Sequence, residues 1–452
     1  MHKFITALLL FGFSFSFAQN KNNKQLAESI DALMSAKFKP AAPGCQILIA
    51  KKGQVIYQKA FGSANLELNV PISPDMVFKL GSITKQFTAV AILQLVEQGK
   101  ISLQDSLQQY IKDFPSKGYR ITIENLLTHT SGLKDYMQVD YAATNMERWD
   151  LEPKQLIDSF KNIPLEFEPG TKFRYSNSGY FLLGYIIEKV TGKSFQSNIQ
   201  DNLLKPLMLF HTYFDTANII IPKRVNGYRK ENETFKNADF WSMNIAWSAG
   251  GLISNTEDLL KWHNGLYSYK ILKKETLEKA FTPFKLKDGV STGYGYGWFI
   301  KEINGIKSIE HAGAITGFLT NEIYFPEEDI FIAALFNSGD APKDELSQTL
   351  LELVLEKSFQ PAIKINDTIM NAYVGTYSLV TDSRRTITIF KENDHLTASV
   401  SGQKKIELLF QSETKFQFKN VLDAKCEFIK ENGKTVKFSI NQNGLYEWVK
   451  IK

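Results

Sequence analysis

Two residues that together can perform nucleophilic catalysis stand three positions apart near residue 80. Ser82 and Lys85 lie in the segment GSITK at 81–85, which opens a stretch with helical spacing up to Gln98. Residues three apart share one face of a helix, so the two side chains are expected to meet. A lysine whose pKa is lowered by burial can take the proton of a serine hydroxyl, and N–H groups at a helix start can stabilise an oxyanion. The alternative is a helix-capping serine followed by a surface lysine.

A second candidate pair, Tyr175 and Asn177, is separated by one residue. Side chains two apart on an extended segment point the same way, so the phenol and the carboxamide can face one cleft. The phenol can relay a proton and the amide can hold a substrate carbonyl. The alternative is a buried tyrosine and an asparagine that caps the helix predicted from Ser178.

The third candidate is HAG at 311–313, in a region of strand-like patterns. A glycine such as Gly313 in a strand lets a substrate backbone approach closely. The N–H of Ala314 is then in a position to complete an oxyanion hole. The alternative is that His311 is a lone histidine beside a turn.

The elements that must position these residues change in character along the chain. A β-hairpin is predicted around 46–57, helices with long loops fill about 100–270, and strands follow from about 293 until a helix at 344–357. From Tyr373 onward, seven or eight short strands with hairpin turns predict a small antiparallel barrel or sandwich.

Composition excludes several classes of protein. The 452 residues carry 53 Lys and Arg against 48 Asp and Glu, and this excess of +5 forms no basic stripe, which disfavours nucleic-acid binding. Six scattered histidines provide no metal-ligand spacing, so we expect no metal and no cofactor. Cys45 and Cys426 exclude a disulfide framework; two reduced, buried thiols are expected, with one long-range disulfide as the alternative.

The N-terminus indicates export. A short basic start, an uncharged apolar run to Phe17 and small residues before Gln19 are typical of a secretory signal peptide at 1–18. The run is shorter than the about 20 apolar residues that a membrane anchor needs. We therefore expect an exported, periplasmic or secreted protein without a transmembrane anchor.

In their order and spacing, the three segments resemble the boxes of the penicillin-recognising serine hydrolases. This family includes class C β-lactamases, low-molecular-mass DD-peptidases, family VIII-type esterases and D-aminopeptidases. The resemblance extends over about residues 30–360 and includes three further stretches: LLTHTSGL at 126–133, YSNSGYFLLG at 175–184 and SAGGLISNTED at 248–258.

The resemblance implies an α+β fold of the β-lactamase/transpeptidase type, with an antiparallel sheet flanked by helices and an all-helical lobe. A hydrolase domain at 19–362 would be followed by a lipocalin-like β-barrel domain at 363–452. Ser82 would form an acyl-enzyme, Lys85 and Tyr175 would share acid and base work, and Asn177 would orient the substrate. Which of Lys85 and Tyr175 takes the serine proton stays open.

The resemblance also implies substrate contacts for the third box, where His311, Gly313 and Ala314 would bind substrate and complete the oxyanion hole. Many β-lactamases have Lys-Thr-Gly there; here Ala312 lacks the hydroxyl and the histidine is only partly charged near neutrality, which disfavours an efficient β-lactamase. Thr316 is a nearby hydroxyl that can substitute for it.

The expected function is hydrolysis of an amide or ester, with a D-amino-acid-containing peptide, a peptidoglycan fragment or a small ester as substrate. The alternative is a non-catalytic or slowly turning-over penicillin-binding or sensor protein. The partner is a small-molecule or peptide substrate, and the sequence leaves the oligomeric state and the role of the C-terminal β domain open.

Overall fold

The chain forms two compact units, each with its own hydrophobic core. The computed structural model describes residues 23–138, 148–303, 305–355, 363–400, 405–419, 424–431, 433–441 and 444–451. The larger unit comprises the chain up to Lys172, Ser176–Ile300 and Lys307–Lys343, and the barrel unit comprises Phe173–Tyr175, Lys301–Ile306 and the chain from Asp344. The predicted signal peptide and the predicted domain boundary at 362 lie outside the described residues.

An antiparallel sheet organises the chain before the barrel. The strands, in chain order, are β1 Cys45–Lys51, β2 Gln54–Phe61, β3 Ser63–Asn65, β4 Val70–Pro71, β5 Phe78–Lys79, β6 Tyr213–Phe214, β7 Tyr228–Glu231, β8 Thr234–Asn237, β9 Leu252–Ser254, β10 Phe299–Ile303, β11 Ile306–Ile315, β12 Phe318–Phe325 and β13 Ile330–Phe336. In the described residues, six of them form one sheet in the order β10-β11-β12-β13-β1-β2. Strand β13 is buried along its whole length, as its continuous apolar sequence IFIAALF requires.

Helices surround this sheet and fill the middle of the chain. They are α1 at 23–37, α2 Thr84–Glu97, α3 Leu107–Tyr110, α4 Ile123–Leu127, α5 Pro153–Phe160, α6 Asn177–Thr191, α7 Phe195–Ile199, α8 Met243–Gly250, α9 Thr256–Tyr267 and α10 Lys274–Ala280. A 3-10 turn at Gly81–Ile83 leads into α2, another follows at Tyr136–Gln138, and a π-helical turn spans Gln200–Leu204. Helix α2 packs against both α6 and α8, and its buried residues belong to the main core.

Local sequence explains where the two site-bearing helices end. Helix α6 ends at Gly192, whose φ of 68° is a left-handed conformation that glycine adopts without strain. After α2, Gly99 has a φ of 67° and ends the turn in the same way. The predicted helices over 82–98 and 178–190 are therefore present, although the first two residues of the former, Ser82 and Ile83, lie in a 3-10 turn.

The barrel unit closes on itself. Its helices are α11 Lys343–Leu355 and α12 Asp367–Tyr373, and its strands are β14 Gly375–Leu379, β15 Asp382–Glu392, β16 His395–Val400, β17 Ile406–Phe410, β18 Lys415–Phe418, β19 Lys425–Glu431, β20 Lys434–Asn441 and β21 Leu445–Lys450. In the described part of the chain, these eight strands form a closed antiparallel barrel in sequence order. The predicted α+β class and the predicted terminal barrel are confirmed.

Aromatic side chains fill the barrel. Tyr373, at the end of α12, stacks on Phe428 with ring centroids 3.8 Å apart, and Phe438 stacks on Trp448. Tyr377 packs edge-on against Phe438 and donates a hydrogen bond from its hydroxyl to the Tyr373 carbonyl. An eight-stranded barrel is narrow enough for side chains to fill, and these rings form its core.

Two further features concern compartment and redox state. Both cysteines are buried free thiols, which agrees with the expectation of two reduced thiols. Within the described residues, no helix combines the length and the apolar character needed to cross a bilayer.

Candidate active site

The Lys85 ammonium group lies 3.1 Å from Oγ of Ser82. Ser82 is in the 3-10 turn before α2, where it is half-buried, whereas Lys85 is in the first turn of α2 and fully buried. The structure therefore brings the predicted nucleophile and its predicted base into direct contact. The alternative of a surface lysine is excluded by this burial.

Two further oxygen atoms complete the environment of Lys85. Its Nζ donates to Oδ1 of Asn177 and to the backbone carbonyl of Ala249, each at 2.8 Å. Burial lowers the pKa of Lys85 from 10.5 to about 7, and the charge of Asp135 opposes that shift. A large fraction of Lys85 is then neutral near neutral pH, which a proton acceptor requires.

Asp135 is a site residue that sequence reasoning missed. Its Oδ2 accepts a 2.8 Å hydrogen bond from Nδ2 of Asn177, and its side chain is almost completely buried. Burial raises the pKa of Asp135, and bonds from Met137 and Asn177 together with the charge of Lys85 oppose that shift. Its position two residues after the LLTHTSGL stretch was the signal available in the sequence.

Asn177 is the first residue of α6, so the start of this helix sets the position of its amide group. Ser176, the residue before the helix, has an extended conformation, and its backbone N–H donates to Nδ1 of His129 at 3.1 Å. Burial lowers the pKa of His129 well below 6.5, with the charges of Lys85 and His311 acting in the same direction, so this histidine is neutral. His129 thus supports the segment that carries Asn177.

Tyr175 lies two residues before Asn177 and is half-buried. It belongs to the short segment Phe173–Tyr175 that groups with the barrel unit. Its assignment as an acid or base therefore rests on its place in the sequence, and it is taken up below as a proposal.

Strand β11 lies against the turn that holds Ser82. A Cβ atom on Gly313 would lie 1.9 Å from the Leu80 carbonyl oxygen, and one on Gly81 would lie 3.0 Å from the backbone nitrogen of Ala314. The Thr320 hydroxyl, on the neighbouring strand β12, also donates to the Leu80 carbonyl at 2.8 Å. Glycine is needed at both positions for the strand and the serine turn to approach this closely.

His311 is held in place by protein atoms on both sides of its ring. The ring is buried, its Nε2 lies 3.1 Å from the Tyr294 hydroxyl, and its Nδ1 lies 2.7 Å from the Ala312 carbonyl. A carbonyl only accepts, so Nδ1 carries a hydrogen, and the ring packs against Phe299. Both ring nitrogens of His311 lie within hydrogen-bond distance of protein atoms on or beside strand β11, and its expected part in substrate binding stays a prediction.

The carbonyl that reaches Lys85 comes from a distorted helix. In α8, Trp247 has a φ of 34° and a ψ of −119°, and its ring is held between Phe181 and Phe195. Such a conformation costs free energy and persists only where packing enforces it. Ala249 follows two residues later, so this distorted segment provides an acceptor for Lys85.

A cavity of about 370 Å³ is lined by residues close in sequence to the site. Lys79 precedes Ser82 by three residues, and Thr316 follows Ala314 by two. Arg224 and Lys79 both contact the buried Asp215, at 2.7 and 3.4 Å. Phe240 and Trp241 add apolar surface, so the cavity combines charged, polar and aromatic groups, as ligand sites commonly do.

Comparisons with known proteins agree with this geometry. The chain is 29% identical to penicillin-binding protein 4* of Bacillus subtilis (strain 168) over 433 residues, covering 89% of this chain and 93% of that protein. The octameric penicillin-binding protein homologue from Pyrococcus abyssi is similar in structure, with a TM-score of 0.66, 27% identity and coverage of 94% of this chain and 99% of that one.

A D-stereospecific amidohydrolase from Streptomyces sp. is also similar in structure, with a TM-score of 0.60 and 25% identity over 74% of this chain and 97% of that one. The Beta-lactamase family matches residues 26–356. The predicted resemblance is confirmed, and the chain belongs to the β-lactamase family.

Proposed function

We propose that this protein is a serine hydrolase that cleaves an amide or ester through an acyl-enzyme on Ser82. The contact between Ser82 Oγ and Lys85 Nζ is the observation that carries this proposal. Support also comes from the family match, since the relatives named above include a penicillin-binding protein and an amidohydrolase.

Lys85 is the base in the proposed acylation step. A neutral amine has two N–H groups and one lone pair, and the Asn177 and Ala249 oxygens are placed to accept the two hydrogens. The lone pair then faces the Ser82 hydroxyl. The serine proton passes to Lys85 as Oγ bonds to the substrate carbonyl carbon, and the carbonyl oxygen becomes an oxyanion.

The backbone N–H groups of Ser82 and Ala314 are the proposed oxyanion hole. The close approach of Gly81 to the Ala314 nitrogen supports this pairing, because it brings the two backbone segments together. Loss of one such donor typically lowers the rate by about 100-fold to 1,000-fold.

The tetrahedral intermediate then collapses and the bond to the leaving group breaks. The amine or alcohol leaves with the proton that Lys85 took, and Tyr175 relays it. Water hydrolyses the acyl-enzyme in the second half of the reaction, with Tyr175 and its neighbours as its activating groups, which frees Ser82. Asn177 has a second N–H that is suited to the carbonyl of the substrate's acyl amide.

The proposed substrate class is a D-amino-acid-containing peptide, a peptidoglycan fragment or a small ester. The cavity that Thr316 lines bears basic, acidic and aromatic side chains, which suit a polar amide with charged ends, and its lining does not include Ser82, Lys85 or Asn177. The similarity to a D-stereospecific amidohydrolase points in the same direction.

Efficient β-lactam hydrolysis is not proposed. Ala312 offers no hydroxyl, and the His311 ring is buried against Tyr294 and Phe299, at the positions where a β-lactam carboxylate would be held. Thr316, four residues after Ala312, is a hydroxyl that lines the cavity. Nitrocefin turnover near the enzyme median of about 10 per second would contradict this statement.

The domain division and the cellular location are also proposals. A hydrolase domain at 19–362 and a lipocalin-like barrel domain at 363–452 are supported by the two compact units. Export with cleavage after residue 18 is supported by the pattern at the N-terminus.

A substrate panel tests the proposed function. D-Ala-D-Ala peptides, D-aminoacyl amides, short acyl esters and nitrocefin would be incubated with the wild type, Ser82→Ala and the control Ser116→Ala, an exposed serine. Turnover of an amide or ester by the wild type and the control but not by Ser82→Ala is expected. Stable acylation without product release would favour the sensor alternative.

A further inference from the structure

The residues on either side of Asp135, Lys134 and Tyr136, are both hydrogen-bonded to Ser178 at the start of α6. The Ser178 hydroxyl donates to the Lys134 carbonyl at 2.7 Å and accepts from the Tyr136 backbone N–H at 2.9 Å. Ser178 follows Asn177 directly, so the loop around Asp135 and the start of α6 are held in a fixed relation.

The Asp135 carboxylate itself is fixed by two donors. Its Oδ1 accepts from the Met137 backbone N–H at 3.0 Å, and its Oδ2 accepts from Nδ2 of Asn177 at 2.8 Å. A carboxylate can only accept, so the NH₂ group of Asn177 must face Asp135. The other atom of that amide, Oδ1, must then face Lys85, as it does at 2.8 Å.

We propose that Asp135 is a positioning residue for acylation, which fixes the orientation of the Asn177 amide and thereby directs the Lys85 amine at Ser82. This inference rests on the proposed serine hydrolase function. With the amide reversed, Asn177 would present N–H groups to Lys85, and one hydrogen of the neutral amine would lose its acceptor. The lone pair would then no longer be directed at Ser82.

The charge of Asp135 has a second effect on Lys85. The groups that titrate and lie near Lys85 in the described part of the chain include Asp135, the neutral His129 and Tyr180, whose ring centroid is 5.6 Å from Nζ. Of these, Asp135 acts to keep the pKa of Lys85 higher. Removing its charge should therefore lower the pH at which Lys85 becomes a base.

The test compares labelling by a fluorescent fluorophosphonate, as a function of pH, for the wild type and Asp135→Asn. The variant retains the shape of the side chain but can both donate and accept. We expect its limiting labelling rate to fall by at least about tenfold, as misplacement of a catalytic group commonly causes. We expect the acidic limb of its profile to move to lower pH.

Asp258→Asn is the matched control. Asp258 is as deeply buried and accepts from the His211 backbone N–H and the Thr212 hydroxyl, within the same unit. Its substitution removes a buried carboxylate without touching Asn177, so stability can fall but the acidic limb should not move. An identical shift in both variants would overturn the assignment of Asp135.

Double substitution separates positioning from simple stability. In an Asn177→Ala background, Asp135→Asn should lower the labelling rate little further, because Asp135 acts through Asn177. If Asp135→Asn does not fold, Asp135→Ser carries the same expectations. If the wild type is labelled but the acidic limb of the folded Asp135→Asn variant does not move, this inference alone is overturned. A wild type that is never labelled overturns the proposed function and this inference with it.

Discussion

Lys85 and Asn177 are 92 positions apart in the sequence, yet Nζ of the first lies 2.8 Å from Oδ1 of the second. Helices α2 and α6 pack against each other and bring both side chains into the buried space beside Ser82. The hydrogen bond to Asn177 uses one of the few directions in which the Lys85 amine can donate. It therefore sets the orientation of the amine toward Ser82.

The rate of Ser82 acylation should rise with pH around neutrality. Lys85 must be neutral to accept a proton, and burial lowers its pKa to about 7. The rate of fluorophosphonate labelling is therefore expected to be low at pH 5.5 and to rise with a midpoint near 7. Lys85→Arg should lose about 1,000-fold in rate, since arginine stays protonated in this range. A flat profile between pH 5.5 and 8.5 would contradict Lys85 as the base.

The same burial predicts how stability depends on pH. Unfolded lysine takes up a proton below 10.5, whereas folded Lys85 does so only below about 7. Between these values the unfolded state binds more protons, so the folded state gains stability as pH rises. The wild type, compared with Lys85→Met, should therefore gain free energy of unfolding from pH 7.5 to pH 9.5. Urea unfolding of both proteins at both pH values measures this gain. A difference in free energy of unfolding that is the same at pH 7.5 and pH 9.5 would contradict the lowered pKa of Lys85.

Gly313 should tolerate no side chain. A Cβ there would meet the Leu80 carbonyl at 1.9 Å and force β11 away from the serine turn. Gly313→Ala is expected to lower the acylation rate by at least about 100-fold, comparable to loss of an oxyanion donor. Gly339→Ala is the control, because a Cβ at that position meets no atom within 4 Å. Circular dichroism of each variant would show whether the fold is retained.

The ionisation of Glu322 should change stability with pH in the opposite direction to that of Lys85. Burial in the sheet raises its pKa from 4.5 to about 8, and its Oε2 has no hydrogen-bond partner in the described part of the chain. Between these values the folded state holds a proton that the unfolded state lacks, so stability contributed by this group is lost as pH rises.

Glu322→Gln should therefore become more stable relative to the wild type from pH 5 to pH 8, by at most about 1.4 kcal/mol per pH unit. Thermal or urea unfolding of both proteins measures the difference. The exposed Glu278→Gln should show no such trend. A constant difference between wild type and Glu322→Gln would show that Glu322 ionises normally in the folded protein.

Sequence spacing predicted the parts of the site that lie close together in the chain. Ser82 and Lys85 share a helical face because they are three residues apart, and Gly313 allows close approach because it lacks a side chain. Ala249 and Asp135 were not predicted, since one acts through a backbone carbonyl, which any residue has, and the other depends on packing between distant segments. No local pattern contains either contact.

The fold was likewise predictable where the sequence pattern is local. Alternating apolar residues indicated the barrel strands, and the strands predicted after about residue 293 include Ile330–Phe336, which the structure buries along its whole length. The role expected for His311 stays a prediction, because a motif does not specify which way a side chain points. In the structure the neighbours Tyr294 and Phe299 receive this ring and bury it.

Peptide mapping by mass spectrometry after acid quench tests the central claim most directly. The wild type would be mixed with a D-aminoacyl ester or amide for seconds, quenched, digested and compared with Ser82→Ala. The account predicts an acyl adduct on the peptide that contains Ser82, carried by that residue and absent from the variant. An adduct on another residue, or equal labelling of both proteins, would contradict it.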